Sequence, residues 1–306
     1  MFTPQDWVGW RDHIDRVVDT DGEWAGILNG EGEPLWELEA YSYDVSSRNL
    51  DVTDGTLTVP VVTQDGDYHP LVTAFFGDGF GTDSATILRP GDNLGYMLCV
   101  QKPGGIEGRM VSTISYPTLE PGPDGEPATI TFQTMELLGE LNFRLAASIP
   151  DTWGAQPFKR WERDQGKVYK VARDLSPLEI ATTSWMLTTA PKQTGTVDVE
   201  INYSGPAVER ISDVIQKSLD AADRLDGTTG DPAFVVSPGG GTSPRVRIAR
   251  RDEPVWGTVA ETARLAGVAV SARLWWPGDE PVVTTTGVEQ WGKAMGVIRV
   301  RPNGEN

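Results

Sequence analysis

The chain has 306 residues but only one cysteine and two histidines. Cys99 alone cannot form an intrachain disulfide, and with His13 and His69 it cannot complete a His/Cys zinc centre of ordinary spacing. It lies in the apolar run from Gly95 to Val100, which reads as a place for a small buried hydrophobe rather than a nucleophile. Long apolar runs are missing too. No stretch approaches the roughly 18 residues of a membrane span. The opening MFTPQDWVGWRDHIDRV carries acids and lacks the uninterrupted apolar core of a signal peptide. The expectation is synthesis in the cytoplasm and no membrane insertion by this chain. Basic residues are scarce, 26 Lys and Arg against 44 Asp and Glu, for a net charge of −18. That balance argues against a surface that grips a phosphate backbone. It fits a soluble surface, or a wall past which nucleic acid slides without sticking.

Catalytic signatures are equally sparse. Gly239-Gly-Gly-Thr-Ser-Pro244 is glycine-rich but lacks the Gly-Lys-Ser/Thr ending of a phosphate loop and precedes a strand pattern. No Gly-x-Ser-x-Gly elbow occurs, and a serine triad would have to recruit His13 or His69 from surface or turn contexts. Gly77-Asp-Gly-Phe-Gly-Thr-Asp83 lacks the spaced acids of an EF-hand and reads as a plain glycine-rich loop. Two carboxylates beside a tryptophan floor would suffice for a glycosidase, and an acidic chain offers many such pairs. The reading is therefore of a protein that is not an enzyme, with no catalytic, metal or cofactor-binding residues and no cofactor.

What is abundant is turn formers and large flat side chains: 34 Gly, 22 Pro and 11 Trp. Trp7 and Trp10 can share one side of a helical turn. Strand patterns follow at 23–28 and 34–41. Around Asp54-Gly55, a hairpin turn signal, Leu50 and Val52 lead in and 56–62 lead out. Residues 69–76 suit a short helix or a buried strand equally. Strands are expected again at 93–101, 109–116 and 128–138. Further on come strand 197–203, an amphipathic helix near 207–225 (Ile211, Val214, Ile215, Leu219, Ala222 and Leu225), and strands at 234–236 and 245–251. Two more strand patterns, 281–286 and 296–301, close the chain. The fold class is α+β and β-rich. A barrel-like or sandwich β-domain spans 1–144, a Pro- and aromatic-rich connecting region 145–195, and an α+β domain with two amphipathic helices packed on a sheet 196–306.

The most sharply punctuated stretch is Asp252 to Asp279. Asp252, Glu253 and Pro254 suit a helix start. Val255, Trp256, Val259, Ala260, Ala263 and Ala266 form an apolar face, and Gly267 suits a left-handed stop. The period then becomes two from Val268 to Trp276, ended by Pro277-Gly278-Asp279. Adjacent Trp275 and Trp276 point to opposite sides of a strand. At least one must face another layer, another subunit or water, and we take the pair as candidate subunit-interface residues. Arg245, Arg247 and Arg251 share one face of a strand, with Val246, Ile248 and Arg250 opposite. They are the other interface candidates, either meeting acidic surface on another subunit or guarding an exposed edge.

The amphipathic helix near Ile211–Leu225, the Arg-Arg-Asp-Glu-Pro-Val-Trp256 run and the following Ala-Gly-Val-Ala-Val-Ser-Ala-Arg-Leu-Trp-Trp-Pro-Gly-Asp279 together resemble Gp37-like minor tail proteins of actinobacterial siphophages. Trp36-Glu-Leu-Glu-Ala-Tyr-Ser-Tyr43 and His69-Pro-Leu-Val72 stand in similar places. The resemblance covers most of the chain. It implies a structural protein of the virion tail tip: a baseplate hub, commonly trimeric, with β-barrel domains in a ring and α/β domains between them. The implied partners are further copies of the chain, the distal tail ring, the tape measure and tip or receptor-binding proteins. DNA would meet it only in passage through the lumen. A reading of another class is a carbohydrate-binding protein or glycan hydrolase that uses tryptophan platforms on the host surface.

Overall fold

A computed structural model describes residues 6–39, 41–45, 51–63, 65–76, 95–146, 163–164, 173–174, 202–226, 232–249 and 253–304. The chain is mixed α+β and rich in strands, as expected. Two compact units are formed, each from non-contiguous segments. The first comprises Met1–Glu140, Ala233–Gly240 and Ala269–Asn306; the second comprises Leu141–Pro232 and Gly241–Val268.

The first unit opens with helix α1, Trp7–Asp21, where the sequence pointed only to a turn. Asp6 accepts a hydrogen bond from the Gly9 amide at 3.0 Å and so caps the start. Gly22, at φ 88°, stops the helix in the left-handed conformation. Trp10, Ile14 and Val18 recur every four residues and are buried. The interleaved acids and basic residues obscured that stripe.

Strands β1 (Trp24–Leu28), β2 (Pro34–Glu37), β3 (Ser42–Asp44) and β4 (Asp54–Pro60) follow. After them come helix α2 (Pro70–Phe76) and strands β5 (Met97–Gln101), β6 (Arg109–Pro121) and β7 (Pro127–Glu136). The strands build one antiparallel sheet in the order β2-β1-β5-β6-β7-β4-β3, curled into a half barrel. Its core is Ile27, Leu57, Val59, Leu98, Val100, Ile130 and Phe132, with Leu71 of α2 fully buried among them. Asp54-Gly55 is not a hairpin turn. Both residues lie in β4, opposite Met135 and Thr134 of β7. A Cβ on Gly55 would stand 2.7 Å from the Asp44 carbonyl oxygen, so this glycine serves close strand approach rather than reversal.

Along the rest of the chain lie β8 (Arg163–Asp164), β9 (Arg173–Asp174), β10 (Asn202–Pro206), α3 (Ala207–Asp226), β11 (Phe234–Pro238), β12 (Arg245–Ala249) and α4 (Val255–Ala266). Then come β13 (Val268–Trp275), β14 (Val282–Val283), β15 (Val288–Glu289) and β16 (Met295–Pro302). In the first unit β11, β16 and β13 form a three-stranded sheet with β16 in the middle. In the second, β10 and β12 pair antiparallel, and α3 and α4 pack on that pair and on each other. Ile211, Val214, Ile215 and Leu219 of α3 are buried, as their spacing required. Ser243 and Pro244 accept hydrogen bonds from the first amides of α3, at Val208 and Ala207. Helix α4 ends at Gly267 with φ 64°, the stop its sequence announced. Its start differs from the expected one: Pro254 is the cap residue and no described side chain, Glu253 included, caps the helix, while Asp252 and nearly all of 145–195 lie outside the described residues.

Candidate functional site

The Pro277-Gly278-Asp279 turn that ends β13 is the centre of a buried charge network in the first unit. Asp279 is 7 % exposed. One of its oxygens accepts from the Trp276 amide at 2.7 Å and from Arg109 Nη1 at 2.6 Å. The other accepts from Arg109 Nη2 at 3.3 Å and faces Arg11 Nη2 at 3.2 Å. Arg109 also donates to Gln101 and to the Leu274 carbonyl, and its guanidinium lies 3.6 Å from the Trp276 ring centre. Arg11 reaches the same turn from α1 and donates to the Pro277 carbonyl. A buried carboxylate with this many charge-assisted partners fixes the turn, the middle of the barrel sheet and the N-terminal helix to one another.

Trp275 and Trp276 are each 1 % exposed. Alternation does send them to different sides, but both sides are covered by the chain itself. Trp275 packs with Val235, Val282, Met295 and Val297, and edge-on to Trp291. Trp276 lies just past the end of β13, meets Trp10 edge-on and donates to the Gly32 carbonyl at 3.0 Å. Neither ring is left to anchor a partner, which removes this pair from the candidate interface and makes it part of the core.

Arg245 and Arg247 occupy one exposed face of β12 while Ile248 is buried, as the alternation predicted. Among the described residues β12 pairs only with β10, so these arginines stand on an edge strand of the second unit. Arg251 lies outside the described residues. The structure does not bring Arg245 and Arg247 together with the tryptophan pair, which belongs to the other unit.

The half barrel has edges of its own. Among the described residues β2 pairs only with β1, and β3 only with β4. Near the β3 edge, Tyr41 and Tyr43 donate to the two oxygens of Glu23 at 3.0 and 2.7 Å. Burial and the Glu23 carboxylate push both phenols above their ordinary range, so they remain protonated donors.

Cys99 is fully buried in β5, and burial pushes its thiol up to about 12. Among the described residues no three His, Cys, Asp or Glu side chains group in a way that could hold a metal ion, and no helix is long and apolar enough to cross a membrane. Sequence reasoning missed Arg11, Arg109 and Asp279 as a unit. The only local hint was an acid placed directly after a Pro-Gly turn. No protein-family model matches the chain, and no curated protein matches it.

Proposed function

We propose that this chain is a structural protein of a siphophage tail tip, a baseplate hub that assembles as a homotrimer and joins the tail tube to distal tip proteins. The observation that carries this reading is the seven-stranded antiparallel sheet, which curls into a half barrel whose two end strands, among the described residues, are each paired on one side only. A half barrel with a singly paired strand at each end is a shape that neighbouring copies can complete into a ring. The charge supports the same reading, because a net −18 makes a lumen wall that repels passing DNA. So does the sequence pattern that ends in Pro277-Gly278-Asp279, a turn held by the buried Arg109–Asp279 pair. In this reading the chain works without a cofactor, and its partners are copies of itself, the distal tail ring, the tape measure and the tip proteins.

The test is where the protein resides. Gold-labelled antibody raised against the chain should mark the tail end far from the capsid on virions of the phage that encodes it. Purified virions that lack the chain altogether would sink the proposal.

A further inference from the structure

The first unit contains a cleft of about 770 Å³ that the charge network borders but does not fill. One face of the three-stranded sheet leads into it. Trp275, Met295 and Val297 on that face belong to an apolar cluster, and further along the same strands the alternating positions become Arg273, Arg299 and Arg301. Three guanidiniums so close together are unusual on a chain of net charge −18. Burial lowers the pKa of Arg273, and the fields of Arg299 and Arg301 lower it further. Burial would raise Glu107, but the hydrogen bond from Arg299 and the fields of all three arginines hold its carboxyl below the ordinary value.

The charges divide unevenly. Arg11 is committed to Asp279 and to the Pro277 carbonyl. Arg299 is committed to Glu107, whose side chain is 57 % exposed. Arg301 is half-buried and, among the described residues, has no ion pair or side-chain hydrogen bond. Two glycines make room for these arginines: a Cβ on Gly278 would meet Arg11 Nη1 at 2.5 Å, and one on Gly239 would meet Arg301 Cγ at 2.7 Å. Ile106, Pro238, Pro281 and Val282 supply apolar wall, and Glu280 is exposed at the rim.

We propose that this cleft binds a monoanionic carboxylate carried on an apolar body, with Arg301 as its clamp. One uncommitted guanidinium suits one negative charge, and its planar fork matches two carboxylate oxygens. A phosphate dianion would leave a charge unpaired. The volume lies within the range of small-ligand sites and far exceeds a lone inorganic ion. The carboxylate can belong to a free small molecule or to an acidic side chain of a neighbouring polypeptide.

Calorimetric titration of the full chain at low salt with two probes, monomethyl glutarate and the tripeptide acetyl-Leu-Glu-Leu-amide, separates the sources. Saturable binding below about 5 mM is expected for at least one of them, tighter for the peptide if the natural ligand is a protein side chain and tighter for the glutarate if it is a small molecule. The control acetyl-Leu-Gln-Leu-amide should not bind. Arg301→Gln should weaken binding by about tenfold or more, the loss of one charge-assisted contact. Gly240→Glu places a competing carboxylate in open space at the cleft and should weaken binding similarly without disturbing the fold, so it decides the matter if Arg301→Gln proves unstable. Absence of saturable binding by both probes, or unchanged affinity in a folded Arg301→Gln or Gly240→Glu protein, would overturn the proposal.

Discussion

Replacing Asp279 with asparagine keeps the shape of the side chain and an oxygen able to accept from the Trp276 amide, but removes its charge. Arg109 then loses its carboxylate while remaining 3 % exposed, with no route to solvent. Arg11, at 23 % exposure, can turn outward. Removing one member of a buried pair in this way costs about 3–5 kcal/mol, because the remaining charge is left uncompensated. Trp276 lies against Arg109, so tryptophan fluorescence during urea unfolding of the full chain reports on the site. With an m-value of about 3 kcal/mol/M, the transition of the first unit should move down by about 1 M or more. Arg109→Met combined with Asp279→Asn should cost clearly less than the two changes added together, because the double variant buries no unpaired charge. A shift in Asp279→Asn below about 1 kcal/mol, or strict additivity in the double variant, would refute the idea that this pair fixes the turn.

Three further outcomes are expected. Native Cys99 should not react with a thiol reagent at pH 8 and should become reactive only on unfolding, because it is fully buried and its thiol is pushed up to about 12. Leu219→Ala should destabilise the second unit by about 2–5 kcal/mol through loss of a buried contact in α3, read from its denaturation midpoint. His69 Nδ1 accepts from the Leu71 amide at the start of α2, and burial lowers its pKa although Glu39 raises it. The folded state thus favours the neutral ring, and this contribution is fully present above the unfolded value near 6.5. It is lost as pH falls through the folded value. Thermal melts between pH 7.5 and 5 should show wild type losing more stability than His69→Asn, whose side chain keeps a cap without titrating.

How much of this was legible in the sequence depended on distance along the chain. Gly267 and Pro277-Gly278 announced the ends of α4 and β13 because turn chemistry acts within a few residues. The β-rich character of the first 140 residues was equally plain from alternation. Asp54-Gly55 misled because a glycine that reverses the chain and one that admits a neighbouring strand look alike in sequence. The tryptophan pair shows the same limit. Alternation correctly sent the rings apart, but only the fold could say that both sides are covered from within. The Asp279 network was invisible because its arginines lie 170 and 268 positions away. Local pattern carries no information at that range.

The central claim, assembly of the half barrel into a trimeric hub, is met most directly by native mass spectrometry of the purified chain, with and without cell-wall glycan. A species of three times 33.3 kDa that ignores the glycan is predicted. A stable 33.3 kDa monomer that binds the glycan would contradict it.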